Sequence, residues 1–110
     1  MEIKTKKMVN IIIYLQKEIE TQKLVFNRLK NKLIANASID INNVSYRIEN
    51  EEIVKDENTV ITAQSKAMLF SQIEKFIKEQ YGENVIIYSL PITQANNSFD
   101  TLIRTKTMKT

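Results

Sequence analysis

With no histidine, cysteine or tryptophan among 110 residues, the side chains left to do chemistry are carboxylates, lysines, hydroxyls and tyrosines. Metal sites built on imidazole or thiolate, disulfides, Cys–His nucleophilic pairs and histidine acid–base catalysis are therefore excluded. One glycine and one proline also exclude the Gly-rich phosphate loops, which need several glycines to bring backbone N–H groups close to a phosphate. A single spacing brings reactive types together: Asp40 on one expected strand, Gln64 and Lys66 after another, and a helix behind them. Tyr46, Tyr81, Tyr88, Met8 and Met68 fall at apolar-face spacings and are read as core packing.

Across about residues 40 to 88 the Asp40, Gln64, Lys66 arrangement resembles a magnesium-nuclease pattern, in which two acids hold the ion and a lysine faces developing phosphate charge. Gln64 stands where the second acid belongs, which removes a full negative charge from such a site. The expectation is no catalytic residue, no cofactor and no metal, with a degenerate magnesium-dependent nuclease kept as the minor alternative.

The elements that must position these residues begin with a long apolar periodicity. Met8, Ile12, Leu15, Ile19, Gln22, Phe26, Leu29 and Leu33 recur at steps of four and three, the repeat of a helix laid against another helix. Thr5 serves as its N-cap and Asn36 as its stop. Such a helix measures about 45 Å, longer than the roughly 34 Å diameter of a compact domain of this size. Residues 1–37 are thus expected to project as a coiled-coil dimerisation helix with those eight residues as its seam. Ile11, Leu24 and Val25 widen the stripe towards an ordinary amphipathic helix, and Val9–Leu15 would suit a strand as well; helix is retained.

After Asn36 the period becomes two. Ile39 and Ile41 share a face, Asn42-Asn43 suits a tight turn, and Val44, Tyr46 and Ile48 alternate with polar residues. Turns at residues 49–52 and 56–58 complete a small antiparallel meander. Leu69, Phe70, Ile73, Phe76, Ile77 and Tyr81 then mark one face of a second helix that Gly82 stops. Residues 84–90 read as a central strand covered on both faces and ended by Pro91. Residues 93–110 form a loosely held segment, read as a C-terminal edge strand. The fold class is α+β in the order α-β-β-α-β, as a single domain over 1–110.

Residues 1–35 carry eight Lys/Arg against three Glu, residues 36–65 two against six acids, and residues 66–110 six against four. The molecule is dipolar, a pattern that suits head-to-tail or partner docking. Lys23, Arg28, Lys30 and Lys32 offer a candidate face for nucleic acid or a protein partner, although only three arginines are present and aromatic residues do not interleave the cations. Abundant Ile, Lys and Asn fit an AT-rich coding sequence. The apolar run at the N-terminus is too short to span a bilayer, so the location is expected to be cytoplasmic, without membrane contact. The expected function is a non-catalytic protein-interaction or assembly protein of a low-GC bacterium, phage or mobile element, a homodimer with a protein partner. A nucleic-acid-binding accessory protein is the alternative.

Overall fold

Met8–Gln16 is a strand (β1), not the first half of a helix. The structure, a computed structural model, describes residues 7–16 and 21–108. Val9, Ile11, Ile13 and Leu15 are buried on one side of β1, and Ile12 on the other is buried as well. Three isoleucines, a valine and a tyrosine in seven residues favour extended backbone. A strand buried on both faces shows a nearly continuous apolar run, which mimics the repeat of a helix over two turns.

The helix that follows, α1 (Thr21–Lys30), has ten residues. Lys32 takes a left-handed conformation (φ 59°), and the bonds Leu33 N to Arg28 O and Lys32 N to Leu29 O, each 3.0 Å, close the end as a Schellman cap. The expected helix to residue 37 therefore stops seven residues early, and the described residues form no coiled coil.

Strands β2 (Asn36–Glu49) and β3 (Glu52–Lys66) form one long antiparallel hairpin instead of a meander. Asn50 and Glu51 both have positive φ, 53° and 66°, as a two-residue type I′ hairpin turn requires. Asn42-Asn43 is not a turn but part of a bulge, where the register shifts between Asp40 and Asn43 and Asp40 Oδ1 accepts from Asn42 N at 3.1 Å. The polar residues Asp56–Asn58 lie within β3.

Helix α2 (Phe70–Tyr81) buries Ile73 and Ile77. Strand β4 (Ile86–Pro91) follows, and Asn97–Lys106 is a third helix, α3, not an edge strand. Asn96 caps α3 by accepting from Phe99 N at 2.9 Å, and Arg104 holds Asp100 one turn away at 2.8 Å. The sheet order is β2-β3-β1-β4, so β1 is central and β4, expected to be central, is an edge. Leu24 and Val25 of α1 and Ile73 and Ile77 of α2 pack with β1 residues and with Ile61 and Ala63 of β3 in one cluster. Both helices thus cover one face of the sheet.

Gly82 ends α2 at φ 100°, ψ 164°, a region essentially reserved for glycine. An added Cβ would meet nothing within 4 Å, so the cost of Gly82→Ala is backbone strain alone. Urea unfolding should show about 1–3 kcal/mol of destabilisation, and an unchanged midpoint would show that the turn relaxes.

Candidate functional site

Strand alternation places Asn10, Ile12 and Tyr14 of β1 on the sheet face opposite α1 and α2. The register sets Leu90, Tyr88 and Ile86 of β4 directly across from them, and Gln64, Thr62 and Val60 of β3 on the other side. Ile86, Tyr88 and Leu90 remain 58%, 41% and 50% exposed, a continuous apolar stripe along an edge strand. Desolvation pushes the Tyr88 phenol up, and the charge and hydrogen-bonding influence of Tyr14 adds to it. Beside the stripe runs an amide ladder: Asn36 Nδ2 donates to Gln64 Oε1 at 3.0 Å, and Gln64 Nε2 donates to Asn10 Oδ1 at 2.8 Å.

The outer half of the hairpin forms a second exposed region. Val44, Tyr46, Ile48 and Ile53 lie exposed along it. Arg47 bridges Asp56 (2.7 Å) and Glu49 (3.0 Å), and these two carboxylates hold its guanidinium above the ordinary value. Where β1 ends against the hairpin and the α2–β4 connection lies a cleft of about 870 Å³, lined among others by Tyr14, Asp56, Glu57, Tyr81 and Glu83. Burial pushes the Tyr81 phenol up. Glu83 lies 3.9 Å from Lys78.

The residues singled out for chemistry do not converge. Asp40 pairs in register with Val60, four positions from Gln64, whose amide is engaged in the ladder. Lys66 is buried and its Nζ donates to Met108 O at 3.0 Å. Among the described residues no three His, Cys, Asp or Glu side chains are grouped so as to hold a metal ion.

The expected dimer seam is dispersed. Met8, Ile12 and Leu15 lie on β1, with Ile12 and Leu15 on opposite faces of the sheet. Ile19 lies outside the described residues. Gln22 and Leu29 are exposed on α1, which also carries Phe26, and Leu33 is buried just beyond it. The cationic face is also broken. Lys23, Lys30 and Lys32 are exposed, but the Arg28 guanidinium lies 3.6 Å from the centre of the Phe76 ring, its Nε buried without a hydrogen-bond partner and its pKa lowered by desolvation.

Ile86, Leu90, Ile48 and Ile53 were not among the expected site residues. The apolar run in 84–90 was visible, but that one face of it is uncovered at Ile86 and Leu90 follows only from the edge position of β4.

A four-stranded antiparallel sheet ordered β2-β3-β1-β4 with two helices on one face defines a ferredoxin-like α+β sandwich. Within that class the chain is similar from end to end to CutA1 structures. The divalent ion tolerance protein CutA1 from Ehrlichia chaffeensis superposes with a TM-score of 0.82 at 20% identity, over 96% of this chain and 100% of that one. CutA1 from Oryza sativa gives 0.85 at 14% identity, over 96% and 98%. The periplasmic divalent cation tolerance protein CutA from Archaeoglobus fulgidus gives 0.79 at 17%, over 90% and 97%. No protein-family model and no curated protein matches the sequence. The likeness overturns the reading of the chain as an assembly protein of a phage or mobile element that dimerises through its N-terminal helix. The names of the Ehrlichia and Archaeoglobus proteins describe tolerance to divalent ions, not a reaction. Among the described residues no helix is long and apolar enough to cross a membrane.

Proposed function

We propose that the chain is a non-catalytic, self-associating protein of the CutA1 type that supports tolerance to divalent cations. The observation that carries this reading is the likeness in fold over the full length of a CutA1 chain, at a TM-score of 0.82. The stripe Ile86, Tyr88, Leu90 supports self-association, since an edge strand with an exposed apolar face invites aggregation unless another chain covers it. A homodimer is the smallest assembly that would do so.

Soft divalent ions do not fit this chain as resident metals. Imidazole and thiolate are absent from the sequence, and the described carboxylates are not grouped, so no coordination step is assigned. The contribution to tolerance then runs through the assembly and what it contacts. The cytoplasmic location is part of this proposal.

The test is growth of a deletion strain in graded copper, zinc and cobalt. Reduced tolerance restored by the wild-type gene is expected. Growth identical to the parent strain at every concentration would overturn the reading.

A further inference from the structure

Between the end of α1 and α3 lies a groove of about 300 Å³ that combines two chemistries. Its floor is hydrocarbon from Leu29, Ile34 and Leu102, and its rim carries the exposed ammonium groups of Lys30, Lys32 and Lys106. No described carboxylate lines it, and among the described residues none of the three lysines has an ion-pair partner. The rim is held together by the backbone. Lys32 stands in the left-handed conformation that ends α1, and its carbonyl accepts from Met108 N at 2.8 Å, two positions past Lys106. The end of α3, with its lysine, is thereby tied to the end of α1. A cation near the negative end of a helix is favourable on its own, which accounts for each lysine singly. It does not account for Leu29, left 36% exposed in their midst.

We propose that this groove binds a medium-chain carboxylate, with its hydrocarbon on Leu29, Ile34 and Leu102 and its carboxylate among the three ammonium groups. Inorganic phosphate or a nucleic-acid backbone would engage the rim and leave the floor wet. A neutral lipid would cover the floor and leave three like charges facing one another without a counter-charge. An anion with a hydrocarbon body satisfies both, by apolar burial and by charge complementarity. The volume is about that of ten water molecules in the liquid, room for about ten heavy atoms, which is the size of octanoate. A ligand that ends within the groove is one free in solution, because a bilayer lipid would have to withdraw its tail, at a cost for every methylene. No residue of β4 lines the groove, so an assembly that covers the Ile86, Tyr88, Leu90 stripe does not fill it by that contact.

The test is isothermal titration of the full chain with sodium octanoate, with amide proton–nitrogen NMR spectra to locate the ligand. Saturable binding at submillimolar octanoate is expected, one per chain, with the largest shifts at residues 29–35 and 102–106. Reversing the rim (Lys30→Glu, Lys32→Glu, Lys106→Glu) should weaken it at least about tenfold, since three exposed attractions become repulsions. Leu29→Gln, which leaves every charge in place, should weaken it about fivefold by removing part of the floor. All four side chains are exposed, and circular dichroism checks that each variant is folded; the two variants probe rim and floor separately. Octylammonium and inorganic phosphate should each bind at least about tenfold more weakly than octanoate. Absence of saturable octanoate binding, or shifts confined to the β4 stripe, overturns the proposal. So does either control binding as tightly as octanoate, or binding to phosphatidylglycerol vesicles by a chain that does not bind octanoate.

Discussion

Replacing Ile86 and Leu90 together by aspartate reduces the assembled protein to a 12.8 kDa monomer at micromolar concentration. Both side chains are at least half exposed on the helix-free face of β4, so the monomer loses little by the change, as substitutions away from the core usually do. In an assembly that covers the stripe, each loses about half of the roughly 1.5–3 kcal/mol of full apolar burial, since the monomer already buries the rest, and the new carboxylates must be desolvated without a partner. The sum is about 3 kcal/mol or more, at least 100-fold in the association constant at ~1.4 kcal/mol per tenfold. Ile87→Asp is the control. Its side chain packs against the core, so that substitution should unfold the chain rather than dissociate a folded one. Sedimentation equilibrium decides, and a double variant with the wild-type mass would place the interface elsewhere.

Ile77→Ala should lower stability by about 2–5 kcal/mol, the range for deleting a buried branched side chain and leaving a cavity. Ile77 is fully buried and stands on α2 against the sheet, in the same cluster as Ile11, Ile61 and Ile73. Domains of this kind hold only about 5–15 kcal/mol in total, so one truncation takes a large share. Ile77→Val, which removes a single methylene, should cost about 0.5–1.5 kcal/mol. Urea curves must be recorded at equal protein concentration, because assembly couples stability to concentration. A loss below about 1 kcal/mol for alanine would mean that the helix settles into the space.

Local patterns were legible where one element faces the core on one side only. The period-two alternation of Val44, Tyr46 and Ile48 lies in a strand, and the spacing of Ile73 and Ile77 ahead of Gly82 lies in a helix. The reading failed where burial is two-sided or where neighbours in space are distant in sequence. Ile11, Ile12 and Ile13 are buried because β3 and β4 flank β1, and that pairing leaves no trace in a window of a dozen residues. The four-and-three seam arose from joining apolar positions of a strand and a separate helix across residues 17–20. The turn read at residues 49–52 is the hairpin turn, with Asn50 and Glu51 at positive φ, whereas Asn42-Asn43, whose composition is the more familiar for a turn, lies at a bulge within β2. Of the candidate site, the dipolar charge pattern was visible in the composition. The exposed apolar stripe was not, because whether Ile86 and Leu90 are covered depends on β4 being at the edge.

The central position of β1 bears on synthesis. Its partner in β4 pairs Val9 with Pro91, about eighty positions away. At roughly 5–20 residues per second, the ribosome takes on the order of 4–16 s to make the intervening chain. Throughout that interval the most apolar strand of the molecule has one edge without its native neighbour. Pairings of such long range are also slow to form once the chain is free. The nascent N-terminal third is thus the segment most in need of a holding chaperone, and a synonymous recoding that slows translation between codons 17 and 85 would lower soluble yield without altering a single contact in the finished protein.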